Sequence, residues 1–385
     1  MSKGVKIIKA KPVYFLICML SFLLVGCWDR IEVNDLALVM ATGIDKASDQ
    51  KLQVTAQIAT PSQGGQSATS SSNQLPYLVV STVGDNTRSA LQKMQEELSR
   101  RLYLPHRRVL IIGENLAKQG LQPILDHLTR EPNSRLDTFV LIAKGTTANA
   151  LMKVPYPYEG VPMEAVREIE SSKLGPTVTL KDLVNVISSG TMSPLLPAIE
   201  KVSQSKGHST FRINGTAVFR HDRLIGWLDD RKTRGLMWLN KDVKQAFMTI
   251  KLNQTPGYIS MNLNNYATKI LTKKEKGQLV IHFTVLADGG IVENSTDIDL
   301  MDPKNDTRLN KIFSDELNER ITSSLYTIQH GYQTDVLEIG EILHQQKPKE
   351  WKKLSAHWDQ EFPKVKFVIQ TKVKTNHIGM TGKLH

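Results

Sequence analysis

Cysteine is almost absent from this sequence. Of the 385 residues only Cys18 and Cys27 are cysteines, and both lie near the amino terminus. The rest of the chain cannot form an internal disulfide, so it must be stabilised by buried apolar surface. This excludes the class of small disulfide-stapled domains. The chain is long enough for two or three domains, each with a core of its own.

Motifs of catalysis and of metal or phosphate binding are also missing. There is no G-x-S-x-G, H-E-x-x-H, C-x-x-C or P-loop motif. The ten histidines are dispersed, and no two lie three or four positions apart on a predicted helix. Adjacent carboxylates such as Asp229 and Asp230 are typical of a solvated helix surface. We therefore expect a protein that is not an enzyme and that has no metal site and no cofactor.

The charge is positive but is not concentrated. The formal net charge is +11, and the basic residues are scattered along the chain, without the stripe and interleaved aromatic residues typical of a nucleic-acid surface. The sequence therefore predicts no nucleic-acid partner. A modest positive excess is compatible with a position close to an anionic lipid surface.

Only one long apolar run occurs, at residues 12–26. Its fifteen residues are fewer than the roughly 20 that a helix needs to cross a bilayer. It follows a cationic head without acidic residues, formed by Lys3, Lys6, Lys9 and Lys11. A cationic head before a short apolar core predicts an export signal over residues 1–26.

The last residues of this run, Leu24, Val25 and Gly26 followed by Cys27, resemble the lipobox of bacterial lipoproteins. The resemblance implies that the Cys27 thiol takes a diacylglyceryl thioether and that cleavage before Cys27 makes it the mature amino terminus. Two acyl chains anchor a protein stably, whereas one gives only marginal binding. The alternative is an uncleaved amino-terminal anchor in which Cys27 is an ordinary cysteine.

Apolar periodicity predicts an α+β fold of three mixed α/β domains with largely antiparallel or mixed sheets. Strands and helices alternate over an amino-terminal domain at 27–200. A segment rich in proline, glycine and serine at 190–210 predicts a boundary. A hairpin and a helix predict a small middle domain at 210–255. The carboxy-terminal domain, 256–385, has predicted strands at 258–264 and 266–273, a long helix near 307–328 and a second helix near 334–345.

Several stretches together resemble one known family, the Ger(x)C lipoproteins, which are the C subunits of nutrient germinant receptors in endospore-forming bacteria. They are Gly26 to Asp29 running into IEVNDLALVMATGIDK, then 104–131, 214–239 and 335–353 with Trp358 and Phe362 after it. The resemblance covers essentially the whole chain after the signal. One departure is DVLEIG at 335–340, where the family tends to have an aromatic residue; we expect it to affect packing more than function.

The resemblance implies a fold peculiar to the family and a lipid anchor on the outer face of the spore inner membrane. It also implies assembly with a large A subunit and a polytopic, transporter-like B subunit into a complex that senses small nutrients and triggers ion and dipicolinate release. No catalytic role follows from it. We therefore predict a non-enzymatic receptor subunit. The alternative is a lipid-anchored solute-binding protein that captures the nutrient itself in a cleft between domains.

Overall fold

The sequence YLVVSTV and the run Val109-Leu-Ile-Ile belong to one large mixed sheet. The structure, a computed structural model, describes residues 32–48, 50–60, 75–132, 134–173, 175–203, 209–240, 243, 246–252 and 255–377. The large sheet has nine strands: β1 (Leu36–Lys46), β2 (Leu52–Ala59), β3 (Tyr77–Gly84), β4 (Arg101–Tyr103), β5 (Val109–Gly113), β6 (Phe139–Lys144), β7 (Leu195–Ser203), β8 (Ser209–Arg220) and β9 (Arg223–Leu228).

The strand order is β3-β2-β1-β5-β6-β7-β8-β9, with β4 beside the start of β1. The central pairs β1–β5, β5–β6 and β6–β7 are parallel. The pairs β1–β2, β2–β3, β7–β8 and β8–β9 are antiparallel. The predicted mixed sheet is therefore confirmed, with a parallel centre between two antiparallel flanks.

Six helices cover the two faces of this sheet: α1 (Thr87–Glu96), α2 (Glu114–Ala117), α3 (Gln122–Arg130), α4 (Ala148–Met152), α5 (Pro162–Ser172) and α6 (Leu180–Ser189). Strand β5 shows why both faces must be covered, since all five of its residues are buried. Leu110 and Ile112 pack in the core with α2, α3 and α6. Val109 and Ile111 pack on the other face with α4 and α5. Continuous apolar strands of this kind are typical of a sheet between two helical layers.

The second sheet has four strands in chain order: β10 (Ala246–Leu252), β11 (Thr255–Glu275), β12 (Gln278–Asn294) and β13 (Lys366–His377). The predicted strands at 258–264 and 266–273 are one strand, and the prediction of a turn between them was wrong. The pairing of β11 with β12 shifts register between Leu263 and Asn265 instead of breaking. A bulge keeps the ladder intact on both sides of the irregularity.

Five helices pack on this second sheet: α7 (Asp230–Asn240), α8 (Pro303–Tyr326), α9 (Ile339–Gln346), α10 (Pro348–Leu354) and α11 (Trp358–Glu361). One turn of π-helix, Thr327–Tyr332, extends α8. The apolar face predicted for the long helix is confirmed, because Leu309, Phe313, Leu317, Ile321 and Leu325 are all buried. They share a single core with α7, the four strands and the aromatic residues Trp351, Trp358 and Phe362.

The domain limits predicted from the sequence stay a prediction, but residues 210–255 divide between the two cores. The β8–β9 hairpin continues the nine-stranded sheet across the expected boundary at 200–210. Helix α7 and strand β10 contribute Leu236, Trp238, Met248 and Ile250 to the core of the second sheet. The polar and proline-rich composition of 190–210 therefore does not interrupt the sheet, because β7 and β8 pair directly across it.

Side chains close several sheet edges. Beside β13, Asn310 Oδ1 of α8 accepts from the Thr375 backbone N (2.7 Å), and Ser314 Oγ accepts from the Val373 backbone N (2.8 Å). Beside β11, the Gln346 amide accepts from the Thr272 backbone N (2.9 Å) and donates to the Ile270 carbonyl (3.0 Å). An open edge is a template for pairing with another chain, so these side chains take the place of a further strand.

Candidate functional site

The residues that the sequence predicts as the site, Leu24, Val25, Gly26 and Cys27, lie outside the described residues. The described chain begins at Glu32. Among the described helices none combines the length and the apolar character needed to cross a membrane. The lipidation site therefore stays a prediction from sequence, and the described body is considered on its own geometry.

Ligands of open parallel sheets bind beyond the carboxyl ends of the strands, so this edge is the first candidate site. In this protein side chains of the chain itself occupy that edge. Asp45, at the end of β1, is buried, and its two oxygens accept from the Ala148 and Asn149 backbone N atoms at the start of α4, both at 2.9 Å. Burial raises the pKa of Asp45, while the two N–H donors act in the opposite direction.

The neighbouring strand ends are occupied in the same way. Gly113 ends β5 next to the Asp45 carboxylate, and a Cβ at this position would clash with Asp45 Oδ1. The Glu114 carboxylate accepts from the Gly145 backbone N (2.9 Å) and pairs with Lys118 (2.7 Å). The structure's own carboxylates thus bind the amide groups that a ligand anion would need.

Two further charged side chains are buried: Arg107, which precedes β5, and Glu170, which lies on α5. Burial lowers the pKa of Arg107 to about 10, and its guanidinium donates to Ser134 Oγ (2.9 Å). Burial raises the pKa of Glu170 to about 8. In the described part of the chain no group of three or more His, Cys, Asp or Glu side chains could hold a metal ion. Both side chains are packed in the interior, and Arg107 Nε and Glu170 Oε2 are buried without a hydrogen-bond partner among the described residues.

The two sheets meet where Tyr332, at the end of the π-turn, lies against strand β9. The Tyr332 hydroxyl accepts from the Trp227 backbone N (3.0 Å) and donates to the Trp227 carbonyl (2.8 Å). Arg220 donates to the Tyr332 carbonyl (2.7 Å). A Cβ on Gly226 would overlap the Tyr332 ring, so glycine is needed here for the close approach. The Tyr332 phenol therefore pairs with the outer edge of β9 at Trp227 and joins the nine-stranded sheet to the second core.

A buried polar cluster continues this junction. Thr334 Oγ1 lies 2.8 Å from Ser193 Oγ, and the Ser193 backbone N donates to the Asp335 carbonyl (2.8 Å). The fully buried Asp335 carboxylate accepts from the backbone N atoms of Leu337 (3.0 Å), Ile339 (3.2 Å) and Gly340 (2.9 Å). It also accepts from Trp358 Nε1 (3.0 Å). Burial raises the pKa of Asp335 and the four donors oppose that shift.

This cluster corrects the predicted second helix, which was placed from 334. Helix α9 begins at Ile339, because residues 335–338 turn around the Asp335 carboxylate, which accepts from the backbone N–H groups of Leu337, Ile339 and Gly340. Sequence reasoning gave Asp335 no role. A capping residue directly precedes its helix, so an aspartate four residues before Ile339 gives no capping signal in the sequence. Its buried position also depends on Trp358, which is 23 positions away.

These features define a two-sheet protein whose usual ligand edge and inter-sheet junction are closed by its own side chains. Comparison with known protein families identifies the family to which the chain belongs. Residues 29–201 match the family described as the spore germination protein N-terminal domain, and residues 214–379 match the spore germination B3/GerAC-like C-terminal family. The chain belongs to this spore germination protein family, as the sequence resemblance predicted.

The similarity to individual proteins agrees with this family assignment. The chain is 27% identical over 392 residues to spore germination protein KC of Bacillus subtilis (strain 168), covering 94% of this chain and 96% of that protein. It is 31% identical over 352 residues to the putative spore germination protein YfkR of the same organism, covering 87% and 90%. The crystal structure of the GerBC protein matches with a TM-score of 0.59 at 20% identity, covering 87% of this chain and 96% of that one. That structure has the same fold.

Proposed function

We propose that this chain is a lipid-anchored, non-enzymatic subunit of a spore nutrient germinant receptor. It would be held on the outer face of the spore inner membrane by Cys27 and would dock the A and B membrane subunits. The observation that carries the proposal is the family match, which begins at residue 29, two positions after Cys27, and extends to residue 379. The sequence before this match is thus the cationic head, the apolar run and the lipobox.

The geometry supports docking more than chemistry. The carboxyl edge of the parallel strands is occupied by Asp45 and Glu114, and each of them is paired within the chain. Strand β1 begins at Leu36, nine residues after Cys27. A fully extended stretch of that length spans at most about 32 Å, so the anchor would keep the first strand close to the bilayer. Confinement to a surface raises the effective concentration of a subunit near its partners.

Spores that carry Cys27→Ala test the proposal. We expect them to lose most of the nutrient response and to release the protein from the membrane fraction, because no acyl chain is attached. Spores with Cys18→Ala are the matched control and should respond normally, since this cysteine leaves with the signal. Mass spectrometry of the wild-type protein should show a diacylated Cys27 at the amino terminus. A normal response with the Cys27→Ala protein still at the membrane would contradict the anchor.

Assembly with the A and B subunits is tested separately by affinity capture from detergent-solubilised spore inner membranes. We expect both membrane subunits to co-purify with the wild-type chain and with the Cys18→Ala variant. Capture of the intact, lipidated chain without either subunit would contradict the receptor role while leaving the anchor in place.

The alternative, a solute-binding protein, requires a cleft between the two units lined by convergent polar groups. At the described junction the polar groups of Tyr332, Thr334 and Asp335 are already bonded within the chain. Isothermal titration of residues 28–385 with amino acids, sugars and nucleosides separates the two functions. Saturable binding at sub-millimolar affinity would favour the alternative.

A further inference from the structure

An open cleft lies on the second sheet, and one of its lining residues, Trp358, also belongs to the polar cluster of the junction. It has a volume of about 370 Å³, within the range of small-molecule sites. One wall is the hairpin between β11 and β12, and the other is formed by the end of α9 with α10 and α11. Its charged lining consists of four lysines and two glutamates, and its apolar lining includes Leu279, Leu354, Trp358 and Val365.

The scaffold of the cleft is fixed on both sides. The hairpin turns at Lys276 (φ 50°) and Gly277 (φ 86°), and Glu275 pairs directly with Gln278. Two consecutive positive φ angles are typical of the tight turns whose twist matches a hairpin. On the other side, Lys347 stands at the corner between α9 and α10. Its backbone N donates to the Leu343 carbonyl (2.8 Å), and its carbonyl accepts from the backbone N atoms of Glu350 and Trp351, both at 3.0 Å.

The two walls are tied together next to the cleft. The Gln346 side chain bonds to the backbone of β11 at Thr272 and Ile270. Gln346 directly precedes Lys347 and Thr272 directly precedes Lys273, so these hydrogen bonds connect the backbone segments that carry the two lysines. Both lysines therefore start from backbone positions that are held by hydrogen bonds.

The charges of the lining do not cancel. Lys274 Nζ lies 3.5 Å from both carboxylate oxygens of Glu350, and Lys364 pairs with Glu361 at 2.8 Å. In the described part of the chain no ion pair is formed by Lys273 or Lys347, so two positive charges are in excess. Both lysines are exposed and extend from backbone positions that are held by hydrogen bonds. Neither ammonium group has an ion-pair partner among the described residues, so both are available to an anion.

The apolar part of the lining is built from the core of this unit. Leu279 and Val365 lie side by side where β12 and β13 begin, since Val280 pairs with Lys366 in parallel register. Trp358 is buried with 5% exposure, and its indole N–H is bonded to Asp335. The indole orientation is thus fixed, and the surface it presents to the cleft is apolar.

We propose that this cleft binds a small phosphate-bearing molecule with an apolar body. Lys273 and Lys347 bind the phosphate, and the body packs on Leu279, Leu354 and Trp358. Two ammonium groups match the double charge of a phosphate monoester, and lysine is a common point-charge partner of phosphate. A negatively charged phosphate is present in a free organic phosphate, as a monoester, and in the headgroup of an anionic phospholipid, as a singly charged diester. The inference does not rest on the receptor role.

Calorimetric titration of the full-length chain in phosphatidylcholine nanodiscs tests the site, with phenyl phosphate as the probe and empty nanodiscs as the blank. We expect saturable binding that is weakened about tenfold or more in Lys273→Gln/Lys347→Gln, because two charge-assisted contacts are lost. The control Lys304→Gln/Lys311→Gln removes the same charge from the exposed surface of α8 and should bind as the wild type does. Inorganic phosphate should bind at least tenfold more weakly, since it has no apolar body.

A second titrant, dihexanoyl-phosphatidylglycerol, distinguishes the sources. Tighter binding of this lipid than of phenyl phosphate, with the same dependence on the two lysines, supports the site and identifies a phospholipid headgroup. Tighter binding of phenyl phosphate supports it with a free organic phosphate as the ligand. The proposal is overturned if neither titrant gives saturable heat, if the double variant binds as the wild type does, or if inorganic phosphate binds equally well.

Discussion

Replacing Asp335 by asparagine tests the account of the polar cluster at the junction. The side chain is fully buried, and each carboxylate oxygen accepts from two donors: Oδ1 from the Leu337 and Ile339 backbone N atoms, and Oδ2 from the Gly340 backbone N and Trp358 Nε1. In either rotamer of an asparagine the amide nitrogen faces two of these donors. Two buried N–H groups are then left without an acceptor.

The magnitude follows from those two groups. An unsatisfied buried donor costs about 1–3 kcal/mol, so two cost about 2–6 kcal/mol. The neutral amide also removes the desolvation of a buried charge, which is the cause of the raised pKa of Asp335. This gain offsets part of the loss, so we expect Asp335→Asn to lower the free energy of unfolding by about 2–3 kcal/mol.

The assay is equilibrium urea unfolding of residues 28–385, followed by near-ultraviolet circular dichroism. Trp351 and Trp358 pack edge to face at 5.4 Å, so their signal reports this cluster. Asp315→Asn, at an exposed position on α8, is the matched control and should change stability by less than about 0.5 kcal/mol. An equally small effect of Asp335→Asn would refute the idea that the carboxylate organises residues 335–340.

Two further predictions concern Glu170 and Tyr332. Burial holds the folded-state pKa of Glu170 at about 8, above the unfolded value of 4.5. Its contribution to stability is therefore fully present below pH 4.5 and is lost as the pH rises to 8, at no more than about 1.4 kcal/mol per pH unit. Glu170→Gln should remove that slope in urea titrations, whereas the exposed Glu168→Gln should keep it; an unchanged slope in Glu170→Gln would contradict the assignment. Tyr332→Phe leaves the Trp227 backbone N–H and carbonyl without this partner. Because both bonds are only partly buried and water can reach them in part, the loss should cost about 1–3 kcal/mol in the same unfolding assay. The control Tyr326→Phe, on a side chain with 65% exposure, should cost nothing measurable, and an equal result for both variants would disprove the role of Tyr332 at the edge of β9.

Patterns within short stretches of the sequence were sufficient to predict most of the strands and helices. The strands and helices predicted over 27–200 are present in the structure, from β1 to β7 with helices α1 to α6 among them. Patterns over a few residues succeed here because the apolar period directly reflects which faces are buried. The start of α9 and the bulge at Leu263 were missed, since each depends on a partner distant in the sequence. The Asn-Asn pair at 264–265 is typical of a turn, yet pairing with β12 holds it in the strand.

The candidate site shows the same difference between features set by a short stretch of sequence and features set by residues distant in the sequence. The site at Cys27 stays a prediction, and it rests on a contiguous stretch of sequence that resembles a lipobox. The junction could not be predicted, because Tyr332 and Trp227 are 105 positions apart and neither belongs to a motif. The lysine cleft was also beyond prediction. Its lysines occur in the sequence as scattered basic residues, and only the docking of α9 beside β11 brings two of them together without counter-charges.

The pairing of Tyr332 with the outer edge of strand β9 has a consequence for the order of events during synthesis. A chain that has folded only as far as Leu228 contains all nine strands of the large sheet but not the residue that pairs with this edge. That edge stays open until about a hundred further residues have followed. During this interval the Trp227 backbone can pair with another nascent chain, so the protein is most prone to misassembly before its second unit exists.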